Sequence, residues 1–86
     1  MEVIKGLNFQ GRASILAMQP IVEIVGQGRL LIENHQGVLA YSNEEIRIKV
    51  CYGFVIVTGE KLQLMEMSRV KLAICGRINA LQFIVR

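Results

Sequence analysis

The sequence predicts an all-β protein: a single small domain of about eight short antiparallel strands behind an irregular amino-terminal arm. Three observations carry that expectation. Apolar and polar residues alternate with period two over most of residues 21–86, the pattern of a strand with one buried face. An apolar-x-apolar-x unit closing on a residue tolerant of positive φ recurs at Gly26, Asn43, Gly59 and Gly76, at spacings of 17, 16 and 17 residues. Finally, 86 residues that are 52% apolar and 20% charged are too few for two domains and too apolar for disorder.

Taken in order, residues 1–20 form the arm and 21–86 the β domain. Ser14 to Met18 can open a helical turn, but Gly6, Gly11 and Pro20 punctuate the segment, and Pro20 steers Gln19 away from helix. The arm's Leu7, Phe9, Ile15, Leu16 and Met18 are expected to cover one open end of the sheet. Val22 and Ile24 then lead into Gly26-Gln27-Gly28, a glycine pattern suited to a bulged hairpin turn, and Leu30 and Ile32 follow.

Ile46, Ile48 and Val50 alternate with Glu45, Arg47 and Lys49; Leu62 and Leu64 with Lys61 and Gln63; Val70, Leu72 and Ile74 with Arg69, Lys71 and Ala73. Opposite strand ends meet at Asn34 to Gly37, Val50 to Gly53 and Glu66 to Arg69. The expected result is four hairpins in a meander or roll, with a β-solenoid as the alternative. Either arrangement leaves terminal strands with unpaired backbone groups, a route to a homo-oligomer or a partner.

Composition narrows the functions. Apolar runs such as Phe54 to Val57 reach four residues, against the roughly 20 that a spanning helix needs. The first residues, MEVIKGLNFQGR, lack the apolar core of a secretory signal, so an intracellular protein is expected. Cys51 and Cys75 form no CxxC pair and are expected to be reduced, largely buried thiols. Charges cancel over residues 1–28 and nearly cancel over 29–68, whereas the last eighteen residues carry Arg69, Lys71, Arg77 and Arg86 with no acid.

The densest polar cluster is Glu33-Asn34-His35, closed by Gly37. By strand alternation Glu33 and His35 share a face. A turn-stabilising role is the simplest reading, with partner binding next and catalysis last. His35 is the only histidine, so no conventional zinc site assembles, and nucleophilic catalysis would need Ser14, Ser42, Ser68 or a cysteine placed against it with a third group to orient the ring. No phosphate loop, nucleophile elbow or zinc-protease pair is present. An enzyme, a cofactor and a small-molecule substrate are therefore not expected.

Arg69, Lys71 and Arg77 fall at alternate positions and form a candidate basic interaction face. Small β-barrels can use such a face with stacking aromatics to hold single-stranded nucleic acid. Here Tyr41, Phe54 and Phe83 can all be assigned to alternating core positions, leaving Tyr52 to spare. A face meeting acidic protein groups or lipid headgroups is preferred over nucleic acid.

Pro20-Ile21 and Gly26, then Ile32-Glu33-Asn34-His35-Gln36-Gly37-Val38-Leu39, Tyr41-Ser42 and Ile46-Arg47-Ile48, form an ordered series. It continues with Gly53-x-x-Ile56-x-x-Gly59, Leu62, Leu72-x-Ile74-x-Gly76-x-Ile78 and Phe83. This series resembles the YabP/YqfC family of bacterial sporulation proteins, and its YqfC branch in particular. The resemblance implies a non-enzymatic protein of the mother cell in endospore-forming bacteria. It further implies a cytoplasmic location, extending to a peripheral position at the forespore membrane, and a membrane-anchored sporulation partner of the YqfD type. The segment Asn8-Phe9-Gln10-Gly11-Arg12 departs from the Pro-rich, acid-containing lead-in of similar members.

Overall fold

The computed structural model describes residues 19–86, so the expectations placed on the arm as far as Met18 lie outside the described residues. Over the described residues the chain is all-β: β1 (Ile21–Val25), β2 (Arg29–Glu33), β3 (Val38–Tyr41), β4 (Glu45–Val50), β5 (Gly53–Met67) and β6 (Lys71–Val85). These six strands make one antiparallel sheet in the order β1-β2-β6-β5-β4-β3. From β3 to β6 the chain is a meander. The β1–β2 hairpin docks on the far side of β6, so the connection from β2 to β3 joins strands that are not neighbours in the sheet.

Two of the expected corners are real turns: Gly26, at φ +61°, lies in the β1–β2 hairpin, and Asn43 lies between β3 and β4. Gly59 and Gly76 are not turns, which reduces the expected eight strands to six. They sit inside β5 and β6, each 15 residues long, where the two strands bend together. A Cβ on Gly59 would run into the Arg77 carbonyl oxygen, and one on Gly76 into that of Lys61. Gly76 has φ +131° and Lys61 φ +54°, and the register slips between Thr58 and Gly59, Glu60 and Gln63, and Leu64 and Glu66. Bulges sharpen twist and bend a strand, so the two long strands fold over without a break.

That bend gives one sheet two layers. β1, β2, the start of β6 and the end of β5 form one; the start of β5, the end of β6, β4 and β3 form the other. Leu30, Ile32, Leu62, Leu72 and Ile74 from the first join Ile46, Ile48, Val50, Val55, Val57 and Ile78 from the second in one buried cluster. The alternation read in β4 holds throughout: Ile46, Ile48 and Val50 are buried, whereas Arg47 and Lys49 are exposed and Glu45 is half-buried.

Three core assignments change, and one is Phe54: next to buried Val55, it takes the opposite face, beside Lys49 and Ile84, with the Arg86 guanidinium 4.8 Å from its ring. Tyr41 and Phe83 are each half-exposed, while Tyr52 packs against the cluster and meets Phe83 edge-on, with ring centroids 6.4 Å apart. Phe83 lies on the core-side face, opposite Val55, but beyond the point where the first layer covers it. Cys51 and Cys75 are free, and both are half-buried rather than sunk in the core.

Candidate functional site

Three features stand out among the described residues: the His35 corner, the outer face that carries Lys71, and the strand edges that no described strand covers. At the corner, Asn34 adopts φ +68°, which ends the alternation of β2. Glu33 and His35 therefore do not share a face in the way a continuing strand would place them. Glu33 stays on the outer surface, 3.9 Å from the Lys71 ammonium, while the His35 ring turns inward and is only 6% exposed. Asymmetric bonding sets its tautomer. The Gly37 N–H donates to Nδ1 at 3.0 Å, so the ring hydrogen sits on Nε2, which donates to the Ser68 carbonyl at 2.9 Å.

The corner is tied on both sides. The Asn34 N–H donates to the Val70 carbonyl and its side-chain amide to that of Gln19, while Gln36 and Gly37 exchange backbone hydrogen bonds with Lys49. The structure thus brings Asn34, His35 and Gly37 together as a latch between the β5–β6 turn and β4. Among the described residues, no group of three or more His, Cys, Asp or Glu is placed to hold a metal ion.

The outer face of the first layer is ordered in rows across β1, β2, β6 and β5. One row reads Ile21, Glu33 and Lys71; the next Glu23, Leu31, Ala73 and Glu66; a third Val25, Arg29, Cys75 and Gln63. A shallow groove runs over Leu31 and Ala73, rimmed by Glu23, Glu33, Glu66 and Lys71. Lys71 and Arg77 of the candidate basic face do point outward, and Arg69 is exposed in the β5–β6 turn. Each of the first two faces a glutamate, Lys71 with Glu33 and Arg77 with Glu60, both at 3.9 Å.

Edges complete the surface. β1 and β3 are the outermost of the described strands, and Ile21, Ile24, Val25, Leu39 and Tyr41 are exposed on them. The outer edge of late β5 is capped instead: Leu62 N–H donates to the Asn43 carbonyl and Leu64 N–H to the Tyr41 hydroxyl. A further edge lies on the last strand, where the sequence reading expects unpaired backbone groups. β2 pairs with Lys71 to Cys75 only, so β6 from Asn79 to Val85 has β5 on one side and no described strand on the other. Its signal in the sequence is the absence of any charge, proline or glycine from Ile78 to Val85.

The model of the YabP family matches residues 17–86, which spans every described strand. The chain is also similar to the uncharacterized protein YqfC of Bacillus subtilis (strain 168), 26% identical over 65 residues, covering 76% of this chain and 70% of that protein. With its whole β domain inside the match, this chain belongs to the YabP family.

Proposed function

We propose that this chain is a non-enzymatic sporulation protein of the mother cell, peripheral at the forespore membrane, that works by holding a membrane-anchored partner of the YqfD type. Family membership supports the setting. The observation that carries the mechanism is the β1 edge, which no other described strand covers, with Ile21 exposed at the groove over Leu31 and Ala73 and Val25 exposed on the same face. An added strand gains main-chain hydrogen bonds there and alternate side-chain contacts for selectivity. The edge is preferred over the basic face because Lys71 and Arg77 already face glutamates.

Co-expression with a YqfD-type partner and purification in detergent test the reading. Wild type is expected to co-purify, Ile21→Lys with Val25→Lys to lose the partner, and Arg69→Glu with Lys71→Glu and Arg77→Glu to retain it. Loss in the charge-reversed variant alone would move the contact to the basic face. Absence of any co-purification, with salt-sensitive binding of a single-stranded oligonucleotide, would replace the reading by the nucleic-acid one.

A further inference from the structure

The other edges of the sheet are each protected against pairing with a copy of themselves. β1 has Glu23 at its centre, so a two-fold pairing about that residue would place two carboxylates together. β3 is four residues long and its pairing with β4 slips between Val38 and Ala40. Late β5 is capped by Asn43 and Tyr41. Short edges, inward bends and charges are the ordinary means by which proteins prevent edge-to-edge association. Past the bulge at Asn79, Ala80 to Val85 uses none of them: it is uncharged, Phe83 is 51% exposed and Val85 71% exposed.

The direction of its backbone groups follows from one bond. The Arg86 N–H donates to the Tyr52 carbonyl, on the β5 side of β6. Amide direction alternates along a strand, so the N–H and C=O groups of Leu81, Phe83 and Val85 point away from β5, to the open side. On the same residues the side chains take the core-side face, since Leu81 lies opposite Val57 and Phe83 opposite Val55.

We infer that this edge is a homodimer interface in which the Asn79–Val85 segments of two copies pair antiparallel about a two-fold axis at Gln82. The inference rests on the reading that strand edges are the working surfaces of this protein. In that register Leu81 exchanges both backbone hydrogen bonds with Phe83 of the second copy, and Phe83 does the same with its Leu81. Gln82 faces Gln82 as a non-hydrogen-bonded pair, the closer of the two kinds. Leu81 and Phe83 side chains meet across the axis on the core side, where Phe83 is left half-covered in the single chain. Val85 of the second copy comes opposite Asn79, which lines an apolar groove with Ile24, Ile78 and Leu81. Arg77 and Arg86 bracket the segment and fall outside it. No like charges oppose one another inside, and a two-fold operator closes the assembly at two chains.

The test uses the purified full chain alone, so its failure leaves the co-purification with the membrane partner untouched, and the reverse. Sedimentation equilibrium is expected to show monomer and dimer only, with half-dissociation on the order of 10 μM, as suits a small interface. Gln82→Glu, at an exposed position, is expected to weaken the dimer about tenfold or more by opposing two carboxylates, and Gln82→Lys likewise. An equimolar mixture of the two is expected to restore it. In a background with Cys51→Ser and Cys75→Ser, Gln82→Cys is expected to cross-link on mild oxidation, and Ser42→Cys on the β3–β4 turn is not. A monomer up to about 500 μM, mass growing past the dimer, no rescue in the mixed sample, or equal cross-linking at both cysteines would each overturn the interface.

Discussion

His35 Nε2 and the Ser68 carbonyl oxygen are 2.9 Å apart although 33 residues separate them in the chain, and through this bond the β2–β3 crossing is fastened to the β5–β6 turn. The connection has to pass from β2 in one layer to β3 in the other, and a buried imidazole bonded at both nitrogens fixes where it does so.

Replacing His35 by alanine removes both bonds, leaves the Ser68 carbonyl without its partner and opens a cavity. The expected loss is about 2–4 kcal/mol, which for a domain of this size lowers the thermal midpoint by roughly 10–20 °C. Differential scanning calorimetry measures it, and a midpoint within about 2 °C of wild type would show the latch to be dispensable.

The glycines divide by what surrounds them. Gly59→Ala and Gly76→Ala force a methyl into the facing carbonyl, and should each cost about 2 kcal/mol or more. Gly26→Ala meets nothing within 4 Å and bears only its left-handed φ, a cost of about 1 kcal/mol. Urea denaturation of the three variants gives the order directly; Gly26→Ala as the worst of them would contradict the bend in β5 and β6.

Exposed ion pairs and core should separate just as clearly. Lys71→Gln and Arg77→Gln disrupt solvent-exposed pairs, and each is expected to change stability by less than about 1 kcal/mol. Ile48→Ala, in the fully buried cluster, should cost about 3 kcal/mol. Comparable effects from both classes in chemical denaturation would reject the placement of Lys71 and Arg77 on the outer face.

Burial pushes the Tyr52 phenol above its ordinary range, and the neighbouring Cys51 adds to the shift. The folded chain therefore holds this proton more tightly than the unfolded one. The associated stability is complete below the ordinary tyrosine value of about 10 and is lost as pH climbs through the higher folded value. In Tyr41→Phe, Tyr52 is the one remaining tyrosine, and its ultraviolet absorbance transition is expected above about pH 10. A transition below that would show the ring to be solvated.

The strand alternation was legible because it is a local signal: Ile46, Ile48 and Val50 face the core wherever β4 is placed. Hairpin chemistry at Gly26 was legible for the same reason. What local pattern could not distinguish is a glycine that turns a chain from one that lets two continuous strands bend, since Gly59 and Gly76 satisfy the same spacing as Gly26 and Asn43. The cost of a Cβ at Gly59 comes from Arg77, eighteen residues away, and no periodicity carries that information. Similarly, Phe83 sits in a core-facing phase, but whether a second layer reaches it depends on where β2 stops pairing with β6. At the His35 corner the residue types announced a turn, and the left-handed Asn34 that parts Glu33 from His35 is a conformation the asparagine permits without requiring.

Since β5 and β6 run unbroken through both layers, the protein has no seam. Neither half of the sandwich owns a complete set of strands, so neither can melt or be excised while the other persists. Any partner gripping one layer pulls on the same two ribbons that build the other.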